Sequence, residues 1–382
     1  MKNHLAIFTI PLFASIGIPA GPALADDDSA IALDRVVIDR HVDTFAVLPD
    51  GVRFPEGITA NPANGDIYVA TFDGGHQNKL LRFNRHGELI ASRDFGITPL
   101  LGLEFDRTHN KVYVLNVGDF TGVPGLDSKI QRIAADFNRA TPIEEVAIIK
   151  PIGAPAPRQR VNPDDNPQGS RSIDMTTFED NARVPNAMTF DSNGSLFVSD
   201  SFQGAVFKVA DVADCSKTCP VETFSHDPLL ATAGFPPFGA NGLAFNSDES
   251  ALFIANTGDD RVLSLNMVSG KREITVLAES LNGADGLVFD KDSGVLWVCT
   301  NQADEVVALN TNGRVVAKLG EFRGINRNGT PNGLLFPASP VIVGDEIFVT
   351  NLAIPLGTAA DEPEAHVTRW TISRMRLPHR ED

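Results

Sequence analysis

Residues 283–301 read GADGLVFDKDSGVLWVCTN, and the same pattern occurs six times along the chain. Each copy has a small or polar residue, a glycine position, an apolar-x-apolar strand, a polar turn and a second strand that ends in Thr, Ser or Asn. The other five copies are FPEGITANPANGDIYVATF (54–72), LLGLEFDRTHNKVYVLNV (100–117), VPNAMTFDSNGSLFVSDS (184–201), GANGLAFNSDESALFIANT (239–257) and PNGLLFPASPVIVGDEIFVTN (331–351). The glycine positions are Gly57, Gly102, Ala187, Gly242, Gly286 and Gly333.

The spacing of these glycine positions predicts the fold. Successive positions lie 45, 85, 55, 44 and 47 residues apart. A period near 45 fits four short strands, the size of a propeller blade, whereas the repeats of a β-solenoid are usually shorter. We therefore predict an all-β, six-bladed β-propeller with four-stranded blades around a central channel. Closure of the ring is expected to pair HVTRWTISRM (366–375) with a strand around residues 42–48.

The interval of 85 residues contains one blade plus an insertion at about residues 153–181, rich in Pro, Arg and Asp. The insertion is either a lid over the channel mouth or a solvated surface loop. We expect residues 26–382 to form a single propeller domain. A chain with 42% hydrophobic residues is incompatible with disorder, and its 32 Gly and 25 Pro suit a turn-rich β fold.

The first 25 residues have the features of a signal peptide. Lys2 precedes a mostly apolar run from Leu5 to Ile18, and residues 23–25 (Ala-Leu-Ala) fit a small-x-small cleavage site. The apolar run is too short to cross a bilayer. We expect an exported, periplasmic or secreted protein, in which Cys215 and Cys219 form a disulfide because the compartment is oxidising.

The net charge of -17 restricts the partners. A surface this acidic repels nucleic acid and anionic lipid, so neither nucleic acid nor a membrane is an expected partner. The same charge favours binding of cations. We expect a monomer.

The residues immediately before the six glycine positions point to a metal site. Innermost strands converge on the propeller axis, so these six residues should ring the channel. They are Glu56, Leu101, Asn186, Asn241, Asp285 and Asn332, and five of the six have a side-chain oxygen. Asn-Gly and Asp-Gly are also common turn dipeptides, so a metal-free polar channel is the alternative. Converging carboxylate and amide oxygens without His or Cys suit Ca²⁺, whereas zinc prefers nitrogen or sulfur.

The chain resembles the gluconolactonase-like (senescence-marker-protein/gluconolactonase) calcium-dependent propellers over about residues 40–375, and more distantly the paraoxonases and diisopropyl-fluorophosphatase. The resemblance is strongest in four motifs, FPEG, VPNA, GANG and GADG, which contain Glu56, Asn186, Asn241 and Asp285. It implies that these four side chains bind a catalytic Ca²⁺ that holds a lactone or ester oxygen. It also implies that Asp285 acts as base or nucleophile on a small-molecule substrate.

Additional polar residues are candidates for the pocket wall. Asn332 belongs to the ring set, and three others stand at or just after the ends of second strands: Asp200, Asn256 and Asn301. We expect these four to contact substrate, although each could instead cap the end of its strand.

Two other functions remain compatible with the sequence. A non-catalytic propeller could bind a ligand or protein through the ring, with calcium in a structural role. A strictosidine-synthase-like or lyase propeller is a third possibility, and it would not need the four oxygen ligands.

Overall fold

The structure is a computed structural model, which describes residues 36–119, 126–155, 159–162, 172–175, 181–215, 219–268, 270, 272–357 and 361–378. The predicted signal peptide at residues 1–25 and most of the insertion at 153–181 lie outside the described residues. Val36–Asp382 is one compact unit. No helix among the described residues is long and apolar enough to cross a membrane.

The first half of the described chain contains three blades. Before them come β1 (Val37–Asp39) and β2 (Asp43–Val47). Blade 1 consists of β3 (Pro55–Asn61), β4 (Asp66–Thr71), β5 (Asn78–Phe83) and β6 (Leu89–Gly96). Blade 2 consists of β7 (Leu100–Asp106), β8 (Lys111–Asn116), β9 (Ser128–Ala134) and β10 (Glu144–Ile149). After the hairpin of β11 (Gln159–Asn162) and β12 (Ser172–Met175), blade 3 consists of β13 (Pro185–Phe190), β14 (Leu196–Asp200), β15 (Ala205–Val209) and β16 (Glu222–His226).

The second half contains the other three blades. Blade 4 consists of β17 (Ala240–Phe245), β18 (Ala251–Asn256), β19 (Arg261–Asn266) and β20 (Ile274–Glu279). Blade 5 consists of β21 (Ala284–Asp290), β22 (Val295–Thr300), β23 (Glu305–Leu309) and β24 (Val315–Leu319). A hairpin of β25 (Phe322–Ile325) and β26 (Pro331–Gly333) precedes β27 (Pro337–Val343), β28 (Glu346–Asn351) and β29 (Thr371–Arg376) of blade 6. Short 3-10 helices lie at Pro228–Leu230, Asn301–Ala303 and Pro363–His366.

The six sheets close into a ring, which confirms the predicted six-bladed propeller. The first strand of each blade contacts the first strand of the next, and β27 contacts β3. The ring is fastened by β2, which pairs antiparallel with β29 and places Asp43 opposite Arg374. This is the predicted closure. The parallel pairing of β1 with β24, which gives blade 5 a fifth strand, was not predicted.

The repeated glycine allows neighbouring innermost strands to approach closely. A Cβ atom at Gly57 would collide with the carbonyl oxygen of Leu101, and one at Gly242 would collide with that of Asp285. Glycine at these positions therefore brings the ring residues of adjacent blades together around the axis.

The apolar core lies between blades. Tyr68 of blade 1, for example, stacks on Phe105 of blade 2 with ring centroids 6.0 Å apart. Its hydroxyl donates to the carbonyl oxygen of Ala135 at 3.0 Å, so the buried phenol is satisfied. On blade 3, Cys215 and Cys219 are joined in a disulfide with Cα atoms 5.4 Å apart.

The predicted alignment of the sixth copy is wrong. Asn332 lies on β26, whose partner is β25, and the innermost strand of blade 6 is β27. Pro337 pairs with Asn351 there, as Pro55 pairs with Thr71 in blade 1. The ring position of blade 6 is consequently Ala338. The strand PASPVIV has no glycine, whereas the nearby Asn-Gly resembles the other copies, and this explains the error.

Candidate functional site

The same strand register positions one residue of each blade at the axis. In each innermost strand, the residue that pairs with the end of the second strand is followed by the ring residue, as Ala284, opposite Thr300, is followed by Asp285. The six ring residues are Glu56, Leu101, Asn186, Asn241, Asp285 and Ala338. Glu56, Asn186, Asn241 and Asp285 all line one cavity, so the structure brings the four predicted metal ligands together.

This cavity, of about 120 Å³, is lined by polar and apolar residues of the described chain, which we call the polar floor and the apolar walls. The polar floor is formed by Glu56, Asn186, Asn241, Thr257, Asp285 and Asn301. The apolar walls are formed by Phe72, Leu101, Pro236, Phe238, Phe336, Leu352, Ile354 and Leu356. No Lys, Arg or His is among the described residues that line it.

Two buried acids dominate the electrostatics of the floor. Glu56 and Asp285 are each only 4% exposed. Burial raises the pKa of Glu56 well above its usual range, and the nearby charge of Asp285 raises it further. Burial raises the pKa of Asp285 to about 7, against the smaller opposing effect of hydrogen bonds from Asn301 and Asn241. Ionising both acids without a cation is therefore unfavourable.

Three oxygens of the polar floor lack a hydrogen-bond partner among the residues that the structure describes. They are Oε2 of Glu56, Oδ1 of Asp285 and Oδ1 of Asn301, and all three are buried. An unpaired buried oxygen costs free energy, and few such atoms occur in a folded protein. Three in one cavity indicate that a positively charged or proton-donating ligand belongs there.

Two of the three amides of the floor, those at ring positions, are held by hydroxyl groups that the sequence did not predict. Asn186 donates through Nδ2 to Oγ of Ser201 at 3.0 Å, and Asn241 donates to Oγ1 of Thr257 at 2.9 Å. These hydrogen bonds use the amide nitrogens and leave each Oδ1 available to a ligand. Each hydroxyl comes one residue after the end of its second strand, a position that the register of the hairpin could have identified.

Asn301 occupies the equivalent position in blade 5 and lines the cavity, and its predicted contact with substrate stays a prediction. Its Nδ2 donates to Oδ2 of Asp285 at 3.1 Å. Gly283 packs directly on the Asn301 side chain, where a Cβ atom would collide with Oδ1. The contact limits the positions open to the amide and so helps to orient Asp285.

Asp200 and Asn256 do not line the cavity, although we expected them to contact substrate. Oδ1 of Asp200 accepts from the backbone N–H groups of Val184, Phe202 and Gln203. Nδ2 of Asn256 donates to the carbonyl oxygens of Leu229 and Ala231. Both side chains stabilise the turns at their strand ends, and the prediction missed the site by one residue in each blade. Asn332 does not line the cavity either.

The donor set of the floor fits a hard cation. Two carboxylates and two amides provide oxygen ligands without nitrogen or sulfur, which is the preference of Ca²⁺. The described residues contain no group of three or more His, Cys, Asp or Glu that could hold a metal, because half of these donors are amides. A divalent cation would offset the repulsion between Glu56 and Asp285 and would give the unpartnered oxygens a partner.

Solved structures with the same fold include a luciferin-regenerating enzyme, a calcium-binding protein and a gluconolactonase. A luciferin-regenerating enzyme is 14% identical, with a TM-score of 0.55, and the match covers 85% of this chain and 92% of that one. Regucalcin from Agrobacterium tumefaciens, a calcium-binding protein, is 14% identical at a TM-score of 0.54, covering 89% and 95%. A gluconolactonase from Xanthomonas campestris is 16% identical at a TM-score of 0.53, covering 94% and 98%.

The sequence comparisons are more restricted. No curated protein sequence matches the chain significantly. The family model described as SMP-30/gluconolactonase/LRE-like region matches residues 236–320, which include Asn241, Asp285 and Asn301 of the polar floor. The predicted resemblance is thus confirmed for residues 236–320, which contain two of the four motifs, GANG and GADG: the chain is a six-bladed propeller with an SMP-30/gluconolactonase/LRE-like region there.

Proposed function

We propose that the chain is an exported, calcium-dependent hydrolase of lactones or related esters. The main support is the pair of buried acids with unpartnered oxygens, Glu56 Oε2 and Asp285 Oδ1, beside two amides in one cavity. Lactonases and calcium-binding proteins among the similar folds, and the family match at residues 236–320, agree with this assignment. Export rests on the signal-like residues 1–25.

Glu56, Asn186, Asn241 and Asp285 would hold the ion through their side-chain oxygens. Bound calcium would polarise a substrate carbonyl and stabilise negative charge on its oxygen. Ser201 and Thr257 keep the amides of Asn186 and Asn241 in a fixed orientation, because each hydroxyl accepts from one amide nitrogen.

Asp285 is the residue that we assign to the chemical step. Asn301 donates to Oδ2 and Oδ1 has no partner among the described residues, so the carboxylate could contact the ion through one oxygen and use the other to accept a proton from water or to attack the carbonyl carbon. The apolar walls limit the access of bulk water to this oxygen. In a single turnover in ¹⁸O-labelled water, ¹⁸O in Asp285 identifies the nucleophilic route, because attack on the carbonyl carbon expels the alkoxide and forms a mixed anhydride, and water attack on the aspartyl carbonyl carbon of that anhydride leaves ¹⁸O in Asp285.

The assay for the proposal is proton release by the purified mature protein with sugar lactones, aliphatic lactones and aryl esters. Each substrate is offered with calcium and with excess chelator. We expect turnover of at least one class with calcium and its loss with chelator. Turnover that chelator leaves unchanged, or no turnover of any substrate, would contradict the proposal.

A further inference from the structure

The cavity combines a charged floor with a hydrocarbon wall, and this contrast bears on the substrate. Eight apolar side chains of the described residues form the walls. Some belong to the ring or follow the strand ends. The others come from three segments: Pro236 and Phe238 before blade 4, Phe336 before β27, and Ile354 and Leu356 after β28. Polyhydroxylated ligands need polar partners for each hydroxyl that loses water. The described side chains of the walls provide none.

Part of the apolar wall is held in place by packing within a hydrophobic cluster and by hydrogen bonds. Phe336 and Leu352 pack in one cluster with Ala338, and Ile354 and Leu356 pack against it. Leu352 is fixed at its carbonyl oxygen, which accepts from Nε1 of Trp370 at 3.1 Å. The backbone N–H of Leu356 donates to the Glu362 carboxylate at 3.1 Å.

A second part of the apolar wall is supported in the same manner. Leu101 packs with Val117 and Val184, and Phe72 and Phe238 pack against that cluster. The carbonyl oxygen of Phe238 accepts from the backbone N–H of Gly258 at 2.8 Å. Both parts of the wall are thus anchored by hydrogen bonds to main-chain atoms, so the apolar lining is expected to persist when substrate binds.

We propose that the site takes lactones or esters with an apolar alkyl or acyl substituent and discriminates against sugar lactones. The carbonyl group would face the polar floor, and the hydrocarbon would lie against Leu101, Phe238 and Ile354. This inference rests on the proposed function, because it assigns the substrate class of the same site. It follows from the wall and floor of the cavity, independently of the ion.

The kinetic test compares three δ-lactones: δ-valerolactone, δ-decalactone with its pentyl substituent, and D-glucono-δ-lactone. Each methylene that leaves water raises kcat/KM about fourfold, so we expect δ-decalactone to exceed δ-valerolactone by at least about 30-fold. D-glucono-δ-lactone should be the poorest of the three. A preference for the sugar lactone, or no gain from the pentyl group, would overturn the inference.

A binding experiment tests the inference even if no substrate is hydrolysed. δ-Valerolactam and its pentyl-substituted analogue resist hydrolysis, and calorimetry with and without calcium measures their affinities. Tighter binding of the pentyl lactam by about tenfold or more supports the apolar site even where the hydrolase proposal fails. Equal affinities overturn it even where hydrolysis is observed.

Two matched variants test where the alkyl group of the substrate lies. Ile354→Ser should reduce the ratio between δ-decalactone and δ-valerolactone about threefold or more, because Ile354 is partly exposed in the wall. Ile97→Ser is the control, since Ile97 is 56% exposed and does not line the cavity. An unchanged ratio in Ile354→Ser, or an equal loss in Ile97→Ser, would contradict the placement of the alkyl group.

Discussion

The two acids and the two ring amides of the polar floor, Asn186 and Asn241, occupy equivalent positions but differ in how they are satisfied. Asn186 and Asn241 each have a hydroxyl partner on the neighbouring strand. Glu56 and Asp285 are buried to the same degree, yet each retains an oxygen with no partner. One fold position thus serves two purposes: the amides are fixed in place, and the acids are left available for a ligand and for chemistry.

The largest expected effect is on catalysis, from the acid of blade 5. Asp285→Asn preserves the shape but removes the charge and the proton acceptor, so kcat should fall about 10²–10⁴-fold. Proton release with calcium measures it. Asp290→Asn, at the other end of the same strand, is the control and should retain activity. Full turnover in Asp285→Asn would contradict the assigned role.

The second effect is on calcium affinity, from the acid of blade 1. Glu56→Gln keeps an oxygen donor but removes one negative charge, so we expect the Kd for calcium to rise about 10–100-fold. Isothermal calorimetry measures it. Glu88→Gln, on an exposed turn of the same blade, should leave the Kd unchanged. Equal affinities for Glu56→Gln and the parent would place the ion elsewhere.

The third effect is on stability as a function of pH in calcium-free protein. Because burial raises the pKa of Asp285 to about 7, the folded state binds a proton more tightly than the unfolded chain. The contribution of this group to stability is therefore lost as pH rises from about 4 to about 7. Asp285→Asn should gain stability relative to the parent over that interval, measured by urea unfolding in chelator. A pH-independent difference would contradict the raised pKa.

The smallest effect on calcium binding is expected from a hydroxyl group that holds one of the ring amides. Thr257→Val removes the hydroxyl that accepts from Asn241, so we expect a loss of about 1–3 kcal/mol in unfolding free energy and only a few-fold weaker calcium binding. Thr257→Ser keeps the hydroxyl and is the matched control. If Thr257→Val lowers calcium affinity as strongly as Glu56→Gln, the distinction between amides fixed in place and acids available to a ligand is wrong.

Blades 1 to 5 were predictable because each has a glycine or alanine at a position where neighbouring strands crowd together. That spacing predicts Glu56, Asn186, Asn241 and Asp285 as ring residues. Blade 6 was not predictable by the same pattern, since Ser339 occupies the glycine position and Asn332-Gly333 nearby mimics the repeat.

Second-strand residues were harder to place than ring residues. Asp200 and Asn256 were chosen for their polarity at strand ends, but their side chains bond to local backbone. The residues beside the floor are Ser201 and Thr257, one position later. The hydrogen-bond register between the two strands determines which residue lies beside the floor, and the repeat spacing alone does not specify that register.

The most direct measurement is diffraction from crystals grown with calcium. We predict a cation within about 2.3–2.6 Å of oxygens from Glu56, Asn186, Asn241 and Asp285, with a position open toward the apolar walls. That open position is what a substrate carbonyl requires. A cavity without the cation, or a cation fully enclosed by protein ligands, would contradict the hydrolase account, and the enclosed ion would favour a binding propeller with structural calcium.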